Sequence, residues 1–161
     1  MPIDRNETRL EATTLSDADP ENAATYAANA EAELARLDAL EAELQATLAP
    51  IAAKPFIVFH DAYQYFEARF GLEVAGTVTV SPEAMPGAAR IDELRAKVAE
   101  LGATCVFAEP NFAPAIVATI VEGSSARAGT LDPEGAALTE GPDLYPELLR
   151  GLAAGLVECL S

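Results

Sequence analysis

Phe56-Ile57-Val58-Phe59-His60-Asp61 decides how the rest of the chain is read. Four aromatic or β-branched residues run together and stop at an imidazole and a carboxylate. A short apolar run without alternation is the signature of a strand covered on both faces, as in the middle of a parallel sheet. Downstream, helical and strand patterns alternate. Asp61 to Phe70 reads as a helix closed by Gly71, and Leu72 to Val80, with Val74, Val78 and Val80, as a strand. Pro86-Gly87 precedes a helix from Ala88 to Leu101 that sets Ile91, Leu94, Val98 and Leu101 on one face, and Gly102 ends it. Cys105 to Ala108 is a third strand, Pro114 to Val121 a helix ended near Gly123, and Ser125 to Leu131 a fourth strand. Leu144 to Leu160 closes the chain as a helix carrying Leu148, Leu149, Leu152 and Leu156. This spacing implies an α/β fold: a doubly wound, mainly parallel four-stranded sheet with helices on both faces.

Upstream, Asp19-Pro20-Glu21-Asn22 has the form of a helix start, with a capping residue, a proline at the first helical position and an acid near the positive end of the dipole. Leu34, Leu37, Leu44, Leu48 and Ile51 then recur at helical spacing, and Pro50 and Pro55 bracket the end. The expected helix is long, roughly 45 Å for about 30 residues at 1.5 Å per residue. It suits either a coiled coil or a helix running the whole length of an α/β unit. Residues 1–18 are polar without pattern. The expected organisation is a loose leader over 1–18, the long helix over 19–52 and an α/β lobe over 53–161.

The chain has 161 residues, half of them apolar, with 26 acidic against 10 basic side chains. That length suits one domain or one lobe, able to bury roughly 68–70% of its unfolded surface without a metal or disulfide. A net charge of −16 argues against nucleic acid or an anionic membrane as partner and suits a cation. No run of 18 apolar residues is present, so no membrane-spanning helix is expected. The start, Met1-Pro2-Ile3-Asp4-Arg5, lacks a basic region followed by an apolar one, so no signal peptide is expected in this chain. Cys105 and Cys159 are compatible with two buried thiols or with one bridge. Closing a loop of that length contributes about 4 kcal/mol in the chain-entropy picture.

In open α/β sheets ligands bind at the carboxyl ends of strands. Three acidic or imidazole groups stand there: His60 with Asp61, Glu109 and Asp132. His60 is the only histidine, and it suits a metal ligand or a general base as well as a helix-capping or core imidazole. Asp132-Pro133 is also an ordinary turn pair. Glu109 suits a ligand contact, an ion pair with Arg127 or the cap of the next helix. The sequence contains no phosphate-binding P-loop, no G-x-G-x-x-G turn, no nucleophile elbow, no H-E-x-x-H and no C-x-x-C. His60-Asp61 is similar to the doublet of metal-dependent phosphohydrolases, but those sites need further histidines, and an enzyme is not expected.

Four stretches together carry a resemblance. They are Phe59-His60-Asp61-Ala62-Tyr63-Gln64-Tyr65-Phe66, Phe70-Gly71-Leu72, Ala103-Thr104-Cys105-Val106-Phe107-Ala108-Glu109-Pro110-Asn111-Phe112 and Gly129-Thr130-Leu131-Asp132-Pro133-Glu134-Gly135. In order and spacing they resemble the C-terminal half of the ZnuA-type proteins, the zinc-specific periplasmic solute-binding proteins of bacterial ABC transporters. The resemblance covers about residues 19 to 161. It implies that the long helix is the backbone joining two lobes and that this chain is the second lobe. It implies His60 as the zinc ligand of this lobe. Asp132 matches the position where related manganese and zinc binders supply a carboxylate, which in the zinc-specific branch need not touch the metal. Cys105 and Cys159 match a pair that is disulfide-bonded in the family.

One departure stands out. The family carries an N-terminal lobe with a further histidine and a His-x-Trp-Leu-Asp-Pro stretch with another. Here Asp19-Pro20 is preceded by Thr14-Leu15-Ser16-Asp17-Ala18, without histidine or tryptophan. Zinc takes four ligands, of which His60 and Asp132 supply at most two. The expectations are therefore zinc captured at an incomplete site, for delivery to an ABC permease, with a homodimer covering the missing-lobe face and completing the metal's ligands. The alternative is a structural or dimerising half-domain without tight metal binding.

Overall fold

The computed structural model describes residues 5–79, 86–102, 105–110 and 114–161. Its centre is a four-stranded, all-parallel sheet of β1 (Phe56–Val58), β2 (Val74–Thr77), β3 (Cys105–Ala108) and β4 (Arg127–Thr130), in the order β2-β1-β3-β4. Phe56 lies beside Val74 on one side and Cys105 on the other, and Cys105 beside Arg127. The ladder continues past the strand ends: the amides of Val78, Thr79 and Leu131 donate to the carbonyls of Val58, Phe59 and Ala108, each at 2.9 Å.

The central strands alternate between two cores, as the two-residue period of a strand requires. Phe56, Val58, Cys105 and Phe107 face one side, packed with Leu40, Leu44 and Leu48 of α2 (Ala23–Leu48), Phe66 and Phe70 of α3 (Gln64–Phe70) and Leu149, Leu152 and Leu156 of α6 (Leu144–Leu160). Ile57, Phe59, Val106 and Ala108 face the other, packed with Leu94 and Val98 of α4 (Ala88–Leu101) and Val117 and Ile120 of α5 (Pro114–Val121). Both central strands are thus buried throughout, and the sheet is doubly wound. Gly71 and Gly102 end α3 and α4 in the left-handed conformation, at φ 67° and 59°, which glycine adopts without strain. The expected strand reaching Val80 is shorter; Val80, the side chain of Leu101 and residues 1–4, 103–104 and 111–112 lie outside the described ones.

The long helix is not uniform. A 3-10 turn over Pro20–Asn22 leads into α2, and another over Ala49–Ile51 follows it. Asp19 does not cap it by bonding a backbone amide. Its carboxylate instead accepts from the Asn22 side-chain amide at 2.7 Å and the Tyr26 hydroxyl at 2.9 Å. Where the sequence pattern suggests a loose leader, the structure has a helix, α1 (Arg5–Ala18), lying against α2. It buries none of its residues, and Leu10 and Leu15 stay 67% and 48% exposed. Its few apolar residues, Leu10, Ala12, Leu15 and Ala18, form no buried stripe. Side-chain pairing ties it down: Arg5 bonds Asp38 at 2.6 Å and Glu41 at 2.5 Å.

The far end of the lobe is tied by covalent and polar contacts. Cys105 and Cys159 form a disulfide joining β3 to the last turn of α6. Lys54 donates to the Leu160 carbonyl and Arg127 to those of Cys159 and Ser161, so two cations meet the negative end of the α6 dipole.

Candidate metal site

With the order β2-β1-β3-β4, the chain leaves β1 in one direction to form β2 and later returns on its other side to form β3. The crevice between the carboxyl ends of β1 and β3 is therefore the switch point, where α/β sheets bind ligands. His60 follows β1 after Phe59, and Glu109 follows β3 directly.

The two side chains meet. His60 Nδ1 lies 2.6 Å from Glu109 Oε1. The approach is out of line with the ring N–H, so Nδ1 is a buried atom in charge contact rather than in an aligned hydrogen bond. The ring as a whole is 22% exposed. Since Nδ1 is buried, that exposure lies on its other atoms. Glu109 is only 4% exposed, and the Tyr63 hydroxyl donates to the same Oε1 at 3.3 Å. Burial pushes the Glu109 carboxyl above the usual carboxylate range; the His60 contact and the Tyr63 hydrogen bond pull it back only in part. Tyr63 is raised far above its ordinary value, first by burial and then by the charge of Glu109, so it stays a neutral donor.

Among the described residues Glu109 thus pairs with His60 and Tyr63 rather than with Arg127, which is bound to the end of α6. The strand-end position of Glu109 is legible in the sequence. Its partner is not, because that depends on β3 returning beside β1.

Asp132 follows β4 and turns back on its own loop. Oδ1 accepts the amides of Glu134 at 3.0 Å and Gly135 at 2.9 Å, and Oδ2 that of Ala136 at 2.7 Å. Its charge still reaches the site, where it contributes to the rise of Tyr63. The two cysteines are bonded to each other and offer no thiolate. Among the described residues no group of three or more histidine, cysteine, aspartate and glutamate side chains is placed to hold a metal ion. By itself the crevice presents one imidazole, backed by a buried acid.

The family model described as "Zinc-uptake complex component A periplasmic" matches residues 9–159. The chain belongs to the ZnuA family. Among curated relatives, the high-affinity zinc uptake system protein ZnuA of Brucella suis is 59% identical over 150 residues, spanning 93% of this chain and 45% of that protein. Its counterpart in Paracoccus denitrificans is 47% identical, over 92% of this chain and 46% of that protein. The chain thus spans about half the length of the curated relatives it matches. A crystal structure of ZnuA superposes with a TM-score of 0.81 at 28% identity, covering 98% of this chain and 58% of that one. The laminin-binding protein Lmb of Streptococcus agalactiae, described as bifunctional with adhesin and metal-transporting activity, superposes at 0.74 and 28% identity, over 93% and 57% of the two chains. The ZnuA match begins within α1, so the helix that carried no readable pattern belongs to the family unit.

Proposed function

We propose that this chain is the C-terminal, zinc-capturing lobe of a periplasmic solute-binding protein that delivers zinc to an ABC permease and performs no chemistry. His60 supplies one nitrogen ligand, and Asp132 is the second protein group, offering the lone pairs its turn leaves free. The observation that carries the reading is the single imidazole at the switch-point crevice, with one ring nitrogen buried on a carboxylate and the side chain 22% exposed through its other atoms. Carboxylate-backed histidine is the usual form of a metal-ligating imidazole. The disulfide suits an oxidising compartment such as the periplasm.

Two protein ligands leave a four-coordinate ion dependent on water or on further protein. For this chain alone, two copies placing their His60 rings on one ion supply the missing nitrogen, and a homodimer is the second part of the proposal.

The test is calorimetric titration with zinc, paired with sedimentation. His60→Ala is expected to abolish both the binding heat and the zinc-dependent rise in melting temperature. Unchanged zinc stabilisation in that variant overturns the reading in favour of a half-domain without this site. Tight one-per-chain binding by a proven monomer overturns the dimer.

A further inference from the structure

Resting on the reading of His60 as a zinc ligand, we infer that Glu109 is the positioning residue of that ligand: held by the Tyr63 hydroxyl, it keeps Nδ1 of the ring turned inward and leaves Nε2 as the nitrogen that meets the metal. The spacing of the pair comes from the backbone, since His60 and Glu109 extend from β1 and β3, which are hydrogen-bonded neighbours. Oε1 sits 2.6 Å from Nδ1 and also accepts the Tyr63 hydroxyl at 3.3 Å. An acid that is 4% exposed is costly to hold in the interior unless it has such partners.

Two other roles fit the geometry less well. A direct ligand must face the arriving ion, whereas Glu109 is only 4% exposed and its Oε1 already meets His60 Nδ1 and accepts the Tyr63 hydroxyl. A side chain kept only for packing needs no carboxylate, and an apolar one of the same shape would serve. A positioning carboxylate needs what is seen: burial, a second donor fixing its own rotamer, and contact with the ring nitrogen that does not bind metal.

The single histidine makes the test direct, because one imidazole gives one set of ring signals. Long-range proton–nitrogen spectra of 15N-histidine-labelled, metal-free protein at alkaline pH report which nitrogen carries the proton. The wild type is expected to hold it on Nδ1, and zinc addition is expected to move the Nε2 resonance. Glu109→Gln is expected to shift the ring toward the Nε2–H form favoured in water and to weaken zinc binding about 10-fold, with Glu109→Ala approaching 100-fold. Tyr63→Phe, which removes one oxygen and leaves Glu109 in place, moves the spectra the same way by less and carries the test if the Glu109 variants fail to fold. A wild-type ring protonated on Nε2, zinc on Nδ1, or a tautomer unmoved by both Glu109→Gln and Tyr63→Phe overturns the inference. Failure of the underlying zinc reading is recognised separately, by zinc binding that survives His60→Ala.

Discussion

Gly129 lies directly against Phe107: a Cβ built on the glycine falls 2.5 Å from Cε1 of the neighbouring ring. The two residues are register partners between β3 and β4. Phe107 is 1% exposed and meets Phe56 edge to face, with ring centroids 5.6 Å apart. The ring cannot retreat without disturbing the centre of the sheet. Gly129→Ala is therefore expected to cost about 1–3 kcal/mol, the usual range for overpacking a tight core. Urea unfolding measures it; a variant as stable as the wild type shows that β4 yields instead.

The disulfide closes a loop with a sequence separation of 54 and fastens the last turn of α6 to β3. In the chain-entropy picture its removal costs about 4 kcal/mol, within the 2–5 kcal/mol usual for native bridges. The double variant Cys105→Ala/Cys159→Ala is expected to unfold at markedly lower urea. Lys54 and Arg127 hold the same helix end, so the fold is expected to survive at 25 °C. Coincident far-ultraviolet and near-ultraviolet unfolding curves would check both points.

Asp132 separates a structural from a ligating role through its two oxygens. Asp132→Asn keeps an acceptor for the amides of Glu134 and Gly135 but turns an amino group toward the Ala136 amide, donor against donor. A loss of about 1 kcal/mol is expected, the usual net worth of a hydrogen bond, since the contacts of Glu134 and Ala136 are exposed to solvent. If Asp132 also touches zinc, calorimetry on the folded variant shows weaker binding as well. Unaltered zinc affinity restricts the residue to its turn.

Glu41 joins three helices by accepting from Arg69 of α3 and Arg5 of α1. These hydrogen bonds, Arg69 first, hold its carboxyl below the usual carboxylate range despite the opposing effect of burial. A depressed folded value stabilises the protein above the unfolded value of about 4.3 and is lost as pH falls through the folded one. Glu41→Gln is expected to cost about 1 kcal/mol at pH 7 and to flatten the acid side of the stability profile. Equal differences from wild type at pH 7 and pH 2.5 would contradict the sign.

The order of elements was readable because each central strand announces itself by composition. Phe56 to Phe59 and Cys105 to Ala108 are continuous apolar runs, and α4, α5 and α6 carry apolar faces that match those runs. His60, Glu109 and Asp132 were likewise visible as strand-end groups. What they touch was not. The His60–Glu109 contact follows from which strand lies beside which, and the three amides on Asp132 follow from loop geometry. α1 escaped because side-chain pairing and contact with α2, rather than buried apolar residues, hold it; exposed charge pairs leave no periodic trace. The Asp19 signal marks the right boundary for a different reason, since its carboxylate binds the side chains of Asn22 and Tyr26.

The β1–β3 ladder at the middle of the sheet also sets when the crevice can come apart. Residues joined to the most buried strands exchange their amide protons last, while segments without buried contacts open first. The ends of the molecule thus differ in lifetime: the α1 hairpin is expected to fray and re-form many times while the amides of Ile57 and Val106 stay protected. His60 and Glu109 ride on those slow strands. Openings confined to α1 are therefore expected to leave the strand ends that carry this pair in place.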